Sequence, residues 1–280
     1  MKPFLKWAGG KRQLLEVLLQ YTNNIGEGRY FEPFIGGGSL FFALHRNDSV
    51  INDYNPEIIN AYNVIKESPE ELIKLLKEHA NNNSSEYFYK LREIDRMDNY
   101  INLSSVEKAA RTIYLNRTCY NGLYRVNSKG FFNVPFGRYK NPLICDEENI
   151  IEISNYFNES SVSIRNLDFE EAVVDAGDGD YIYFDPPYDY EEGKGFVGYV
   201  KEGFDHVSLL RLKRVCDELI SRNCKVLISN NDTDFVRNTF NDDNFEIVYE
   251  TVPLQTKRSI NSKGTERNSG REVLIYGRRR

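Results

Sequence analysis

Nine residues constrain this chain more than any others: Asp180-Tyr181-Ile182-Tyr183-Phe184-Asp185-Pro186-Pro187-Tyr188. The apolar run between the first two acids has the length and composition of a short buried strand. Two successive prolines then fix φ and remove two N–H donors, so the strand stops and the chain leaves as a stiff corner. A parallel α/β sheet binds ligands just beyond the carboxyl ends of its strands. The corner therefore offers a carboxylate, backbone carbonyls and an aromatic face at the mouth of a site. That set suits a planar group bearing an exocyclic amine. The Asp185 carboxylate and the Pro186 carbonyl are acceptors for the two amine hydrogens, and Tyr188 stacks on the ring. Loading the nitrogen in this way pulls it toward tetrahedral and aims its lone pair at an electrophile. Catalysis would then be positioning plus electrostatics, with no covalent intermediate. A strand-end Asp in an ordinary Pro-rich turn, with Tyr as packing, is the plainer reading of the same residues.

With 280 residues, 40% hydrophobic and 28% charged, the chain can bury one good core and carry a second, smaller domain. No long apolar run suggests a membrane span, and Met1-Lys2-Pro3-Phe4 lacks a signal peptide's apolar core, so a cytoplasmic chain is expected. Cys119, Cys145, Cys216 and Cys224 show no Cys-x-x-Cys pairing and there are three histidines, so reduced thiols and no metal site are expected. The net charge of −6 argues weakly against a polyanionic partner but hides an asymmetry. From Arg111 to Lys140 the chain carries Arg111, Arg117, Arg125, Lys129, Arg138 and Lys140 and no acid. Lys257, Arg258, Lys263, Arg267, Arg271 and Arg278 to Arg280 form a second basic stretch, whose final Arg run reads as a solvated, frayed end. Nucleic-acid affinity follows local phosphate neutralisation, so the stripes matter more than the sum.

Near the N-terminus, Lys6-Trp7-Ala8-Gly9-Gly10-Lys11 places the only Trp beside a Gly-Gly turn flanked by lysines, before a helix expected at 13–20. Then Arg29-Tyr30-Phe31-Glu32-Pro33-Phe34-Ile35-Gly36-Gly37-Gly38-Ser39 reads as strand and Gly-rich turn, leading into helix 40–44: the opening βα unit of a nucleotide-binding sheet. It matches neither the dinucleotide nor the phosphate-loop pattern. A second strand, Val50-Ile51-Asn52-Asp53, ends in an acid close to the ~20-residue spacing at which such an acid accepts hydrogen bonds from ribose hydroxyls. A cofactor with a nucleoside and no pyrophosphate fits, namely S-adenosylmethionine. The alternative is a Gly turn followed by an Asp helix cap.

Residues 56–117 read as helices. Pro opens 56–66 and 69–80, 87–96 is short, and Ser104-Ser105-Val106-Glu107 is a capping box. Residues 116–142 change character. Tyr124, Val126, Phe131, Phe132 and Val134 around Asn127 to Gly130 suggest a β-hairpin. Arginines, asparagines and aromatics interleave in it without acids. Arg reads guanine edges, Asn reads adenine, and an aromatic wedges into the base stack. A helix at 147–157 and a strand at 162–164 follow, and Asp168 beyond them suits either a cofactor's adenine amine or a helix cap. The charged Asp189-Tyr190-Glu191-Glu192-Gly193-Lys194-Gly195, with Phe196 and Tyr199 beyond, is placed to close over the site. A helix at 206–222 and strands at 225–230, 245–250 and 272–276 complete the reading.

Assembled in order, these motifs resemble the Dam-type DNA adenine N6-methyltransferases, including relatives from restriction–modification systems. The resemblance covers nearly the whole chain. It rests on Lys-Trp-Ala-Gly-Gly-Lys at 6–11, Phe-Glu-Pro-Phe-Ile-Gly-Gly-Gly-Ser-Leu at 31–40, Asn52-Asp53, Asn-Gly-Leu-Tyr-Arg at 121–125 and Phe-Asn-Val-Pro-Phe-Gly-Arg-Tyr at 132–139. Asp-Pro-Pro-Tyr at 185–188, Ser-Asn-Asn-Asp-Thr at 229–233 and Lys-Arg-Ser-Ile at 257–260 complete it. The implied fold is an α/β, Rossmann-like S-adenosylmethionine-dependent methyltransferase sheet. Residues 1–55 and 145–280 would form its catalytic domain, and 56–144 an inserted helical plus β-hairpin DNA-recognition domain with the hairpin near 118–140. By the same resemblance Gly36, Gly38 and Asp53 would hold S-adenosylmethionine, with Trp7, Ala8 and Lys11 near its methionine end and Asp168 near its adenine. Asp185, Pro186 and Tyr188 would bind a flipped adenine, Asp185 also bordering the cofactor. Lys6 resembles a base-contacting lysine, and Tyr120, Asn121, Leu123, Arg125 and Pro135 resemble the reader of GATC. Tyr139 would intercalate, and Arg117 and Arg138 would contact phosphates. Tyr124 and the segment from Asp189 to Gly195 depart from the family pattern.

The implied activity is methylation of adenine N6 in double-stranded DNA, in GATC, after the base leaves the helix, with a cognate restriction endonuclease as a genetically linked partner. Methylation of cytosine N4, RNA or a protein amide, or non-catalytic nucleic-acid binding, are the alternatives.

Overall fold

The computed structural model describes residues 1–6, 14–23, 25–189, 204–241, 246–256 and 270–280. Trp7, Ala8, Lys11, the segment beyond Asp189 and Lys-Arg-Ser-Ile at 257–260 lie outside them. Among the described residues a seven-stranded sheet runs in the order β3-β2-β1-β4-β5-β7-β6. Its strands are β1 (Tyr30–Glu32), β2 (Asp48–Asn52), β3 (Ser161–Arg165), β4 (Tyr181–Phe184), β5 (Lys225–Asn231), β6 (Ile247–Thr256) and β7 (Gly270–Arg279). The first five are parallel, and β7 runs antiparallel between β5 and β6. The chain is therefore α/β, a Rossmann-like sheet whose strand order reverses at β1, which lies between β2 and β4. Such a reversal opens a crevice at the carboxyl ends of the central strands.

The buried strands are apolar on both faces, as a sheet covered on two sides requires. Period-two alternation still sorts their side chains. Tyr30, Ile51, Tyr181, Tyr183, Leu227 and Leu274 enter one core, and Phe31, Val50, Ile182, Phe184, Val226, Ile228, Val273 and Ile275 enter the other. The second core is closed by α8 (Phe169–Ala172), α9 (His206–Ser221) and α10 (Asp234–Phe240). The first is closed by α1 (Leu15–Thr22), α2 (Ser39–Leu44), α3 (Pro56–Glu67) and α7 (Glu147–Glu159). It runs on without a break into α4 (Pro69–Asn81), α5 (Ser85–Glu93) and α6 (Ser105–Thr118). No described helix is long and apolar enough to cross a membrane.

Local signals set most of these boundaries. Ser104 and Glu107 form both arms of the capping box that opens α6, Asn55 caps α3, and prolines stand at the first turns of α3 and α4. Three expectations need correction. The hairpin is not a regular ladder: it closes through isolated bridges at Cys119–Phe136 and Val126–Phe132 around a turn at Asn127 to Gly130. Arg111 is not on a basic surface but is buried at 5% exposure, ion-paired to Asp95 and bonded to the Leu91 carbonyl. Its neutralising acid lies outside the acid-free stretch, where a one-dimensional reading could not find it. The final arginines are not frayed: Arg278 and Arg279 extend β7 opposite Val248 and Ile247, and Arg278 pairs with Glu250.

Fully buried Asn52 bolts the sheet's rim together. Its Nδ2 donates to the carbonyls of Pro33 and Leu167, each at 3.0 Å, and its Oδ1 accepts from Leu167 N at 2.8 Å. The loops leaving β1 and β3 are thus tied to the strand between them. Asn52→Ala strands two carbonyls and one N–H, and is expected to lower the unfolding free energy by about 2–4 kcal/mol in urea titration. A loss under about 1 kcal/mol would show that the loops hold without it.

Candidate functional site

Three parallel pairings bring the sequence-predicted acids to one rim. Tyr30 is in register with Ser49 and Tyr181, and Ile51 with Ile164. The turn after β1, Asp53 after β2, Asp168 beyond β3 and Asp185 after β4 therefore leave the same edge of the sheet. Strands lie about 4.8 Å apart, so the glycine turn and Asp185 belong to neighbouring strand ends.

The glycine turn is shaped by what it cannot contain. Gly36 and Gly38 have φ of +45° and +68°. A Cβ at Gly38 would lie 2.7 Å from the Tyr62 hydroxyl and 3.2 Å from Phe42. Tyr62 in turn donates to the Gly36 carbonyl at 3.2 Å. Asp53 fixes the turn from the other side, with Oδ2 accepting from Gly36 N at 3.0 Å and Oδ1 from Asn55 N at 2.9 Å. Burial pushes the Asp53 carboxyl up to about 6, and these two N–H bonds hold it from rising further. At neutral pH it remains an acceptor, suited to hydroxyl donors.

Asp168 is engaged otherwise. Its side chain caps α8, accepting from Glu170 N at 3.0 Å, and pairs with Arg211. The capping alternative is therefore realised, whatever else reaches this residue. In the corner, Pro186 is buried while Asp185 and Tyr188 are half-buried. The Tyr188 hydroxyl donates to Glu272 on β7 at 3.2 Å.

Beside this rim lies the polar, aromatic segment. Its parts are gathered by Asn116, which composition and motif matching passed over. Asn116 is 1% exposed; it accepts from Lys6 N at 2.7 Å and donates to the carbonyls of Lys6 at 2.7 Å and Gly122 at 3.2 Å. A Cβ on Gly122, at φ +62°, would lie 2.4 Å from the Lys6 side chain, so only glycine lets the two segments touch. Lys6 Nζ donates to the Arg117 carbonyl at 3.1 Å and sits 3.9 Å over the Tyr139 ring. Desolvation, then the nearby Arg117 charge, lowers its pKa. The Tyr139 hydroxyl takes the Asn121 backbone N–H.

Tyr120 N donates to the Pro135 carbonyl at 2.8 Å, which aligns the two arms. Tyr120, Asn121, Pro135 and Arg138 are exposed together, with Arg117, Leu123, Arg125 and Tyr139 half-buried among them. Arg125 is bonded inward, Nε to Asn133 Oδ1 at 2.6 Å. Asn121 and Arg138 hold φ of +54° and +52°, a conformation that costs a non-glycine residue about 1–3 kcal/mol and concentrates at functional sites. Tyr124, the departure from the family pattern, is buried against Phe132 and hydrogen-bonded by the Asn55 side chain.

Two contacts join this surface to the rim. Phe4 packs edge-on against Tyr62 at 4.8 Å, next to the glycine turn, two residues before Lys6. Asn55, two residues after Asp53, reaches Tyr124.

The model of the D12 class of N6 adenine-specific DNA methyltransferases matches residues 7–259. The type II methyltransferase M1.LlaDCHI of Lactococcus lactis subsp. cremoris is 46% identical, over 95% of this chain and 94% of its own length. The type II methyltransferase M.MjaIII of Methanocaldococcus jannaschii is 37% identical over 98% of both. The DNA adenine methylase of Escherichia coli K12 is 31% identical over 98% of this chain and 94% of its own. A match of this extent to the family model, with relatives aligned end to end, makes the chain a member of the D12 class of N6 adenine-specific DNA methyltransferases, which take their methyl group from S-adenosylmethionine.

Proposed function

We propose that this enzyme methylates adenine N6 within GATC in duplex DNA, acting on a base rotated out of the helix. The observation that carries the reading is the parallel pairing of β1 with β4, which makes the glycine turn and the Asp-Pro-Pro-Tyr corner neighbours at one rim. An adenine amine inside a duplex is paired and stacked, so it reaches such a rim only by leaving the helix, at a cost of about a few kcal/mol. Residues 56–144 are read as the target-recognition insert, and the rest as the catalytic unit.

The roles follow from chemistry. Bound S-adenosylmethionine supplies a methyl group on a positively charged sulfur. Asp53 accepts from its ribose hydroxyls, and Gly36 and Gly38, both at positive φ, shape the turn beside it. Trp7, Ala8 and Lys11, by their place in the sequence, are read as the methionine end of this pocket. Asp168 is kept as a neighbour of the cofactor's adenine through its position after β3, its carboxylate being shared with Arg211. Asp185 Oδ and the Pro186 carbonyl accept the two N6 hydrogens, and Tyr188 stacks on the ring. Lys6, Tyr120, Asn121, Leu123, Arg125 and Pro135 read base edges, Tyr139 enters the stack, and Arg117 and Arg138 hold phosphates. Names of the type II relatives favour a genetically linked endonuclease of the same specificity as partner.

Methylation-sensitive sequencing of DNA from cells expressing the chain is expected to show modified adenine in GATC; modification confined to another sequence would overturn the specificity. Asp185→Ala is expected to lower single-turnover transfer by at least about 100-fold, the scale of a lost transition-state acceptor. Near-normal transfer would remove Asp185 from the chemistry.

Asp53 adds a pH dependence. Its folded pKa, about 6, stands above its ordinary 3.8. Ionisation therefore opposes folding, so this group's contribution to the free protein's stability falls as pH rises from about 4 to 6. Ribose donors favour the carboxylate, so cofactor affinity is full above about 6 and falls by up to about tenfold per unit below it. Calorimetry across pH 5 to 8 measures this, and Asp53→Asn should flatten the profile.

Arg138→Ala is expected to weaken binding to every duplex about equally and reduce the slope of log affinity on log salt by about 1, with the methylated sequence unchanged. A changed sequence would move Arg138 from phosphate to base.

A further inference from the structure

The corner 185–188 has a mechanical problem of its own making. Pro186 and Pro187 lack N–H groups, so the chain leaving β4 cannot be held by strand-like bonds until it has passed them. Yet an amine clamp needs its acceptors fixed to a fraction of an ångström. The restraint comes one residue later. Asp189 N donates to Asn230 Oδ1 at 2.9 Å, and the Asp189 carbonyl accepts from Asn231 Nδ2 at 2.6 Å. Asp189 Oδ2 accepts from Thr233 Oγ1 at 2.6 Å, and Oδ1 lies 3.2 Å from His206 Nε2. Every polar group of Asp189 is thus engaged, and its side chain is 13% exposed.

The partners are themselves rigid. Asn230 and Asn231 end β5, in register with Val273 and Glu272 of β7. Thr233 caps α10, accepting from Val236 N at 3.2 Å while it donates to Asp189. Asn230 is fully buried, and its Oδ1 takes a second N–H, that of Asn231, at 2.8 Å. Among the described residues its Nδ2 has no hydrogen-bond partner. An orphaned buried donor costs about 1–3 kcal/mol, so Asn230 stands here for its oxygen.

We propose that Asp189 is a positioning residue for methyl transfer: with Asn230, Asn231 and Thr233 it clamps the exit of the proline corner to β5 and α10. It thereby fixes the acceptors at Asp185 and Pro186. This rests on the reading of 185–188 as the amine-binding corner.

The test compares Asp189→Ala, Asp189→Asn, Thr233→Val and Asp185→Ala by single-turnover transfer to duplex, with cofactor and duplex affinities measured separately. Asp189→Ala is expected to slow transfer by about 10–100-fold, the effect of displacing reacting groups by about an ångström. Its two affinities should stay within about threefold. Asp189→Asn, which keeps an acceptor for Thr233, should recover most of the rate. Asp189→Ala with Thr233→Val should be no slower than Asp189→Ala alone, because one contact is lost in both. Thr233→Val, close in shape, carries the test should Asp189→Ala fail to fold; it should slow transfer while keeping both affinities. Wild-type transfer by Asp189→Ala, or by Thr233→Val in that event, overturns the proposal. So does a rate loss matched by equal losses of cofactor and duplex affinity, which marks general collapse. Wild-type transfer by Asp185→Ala instead overturns the underlying reading of the corner.

Discussion

The parallel pairing of β1 with β4 is the constraint on which the site depends. β1 and β2 carry the glycine turn and Asp53, while β4 carries the proline corner far along the chain. Only the register Tyr30–Tyr181 makes their exits adjacent. That register is secured by burial on both faces, since shifting β4 by one residue would exchange Tyr181 and Tyr183 with Ile182 and Phe184 between two unlike cores. One of these cores holds buried hydroxyls with specific partners, such as Tyr183 with Ser229 at 2.8 Å; the other is apolar there. A slipped strand would bury a phenol without a partner, and the polar bond thus helps select the register that the hydrophobic effect stabilises.

Around that pairing, side-chain amides recur as fasteners. Asn52 ties together the loops beyond β1 and β3, Asn116 joins residue 6 to the turn at Gly122, and Asn230 and Asn231 hold the exit of the proline corner. An amide can donate and accept at one position without carrying charge, so burial costs it far less than it costs a carboxylate. Asp53 shows the contrast: in the same rim, burial raises its carboxyl to about 6 although two backbone N–H groups favour the charged form.

Helices α4, α5 and α6 are continuous with the sheet's own core rather than a separate bead. That continuity fixes the exposed surface around Tyr120 and Arg138 relative to the rim, which a loosely tethered unit could not do. The alignment is made by short routes: Phe4 against Tyr62, and Asn55 to Tyr124.

Local sequence signals specify the elements and the chemistry of their ends. Capping residues, prolines, glycines and apolar periods act over a few positions, so α3, α4, α6 and the strands ending at Asn52 and Phe184 were legible with small errors of boundary. The acids at 53 and 185 were legible because each follows a buried apolar run. What lay outside local reach was decided by tertiary structure. Arg111 looked like surface charge until Asp95 was folded against it, and Arg278 and Arg279 looked loose until β6 paired with them. The bond from Arg125 to Asn133 across the hairpin likewise exists only in the folded chain. Asn230 stands in a quoted motif and Asn116 does not, yet neither local sequence shows which distant groups the amide will meet, since an asparagine looks the same in sequence whether it is exposed or buried. Hydrogen bonds between distant segments exist only after the chain has closed on itself, so periodicity and spacing cannot report them.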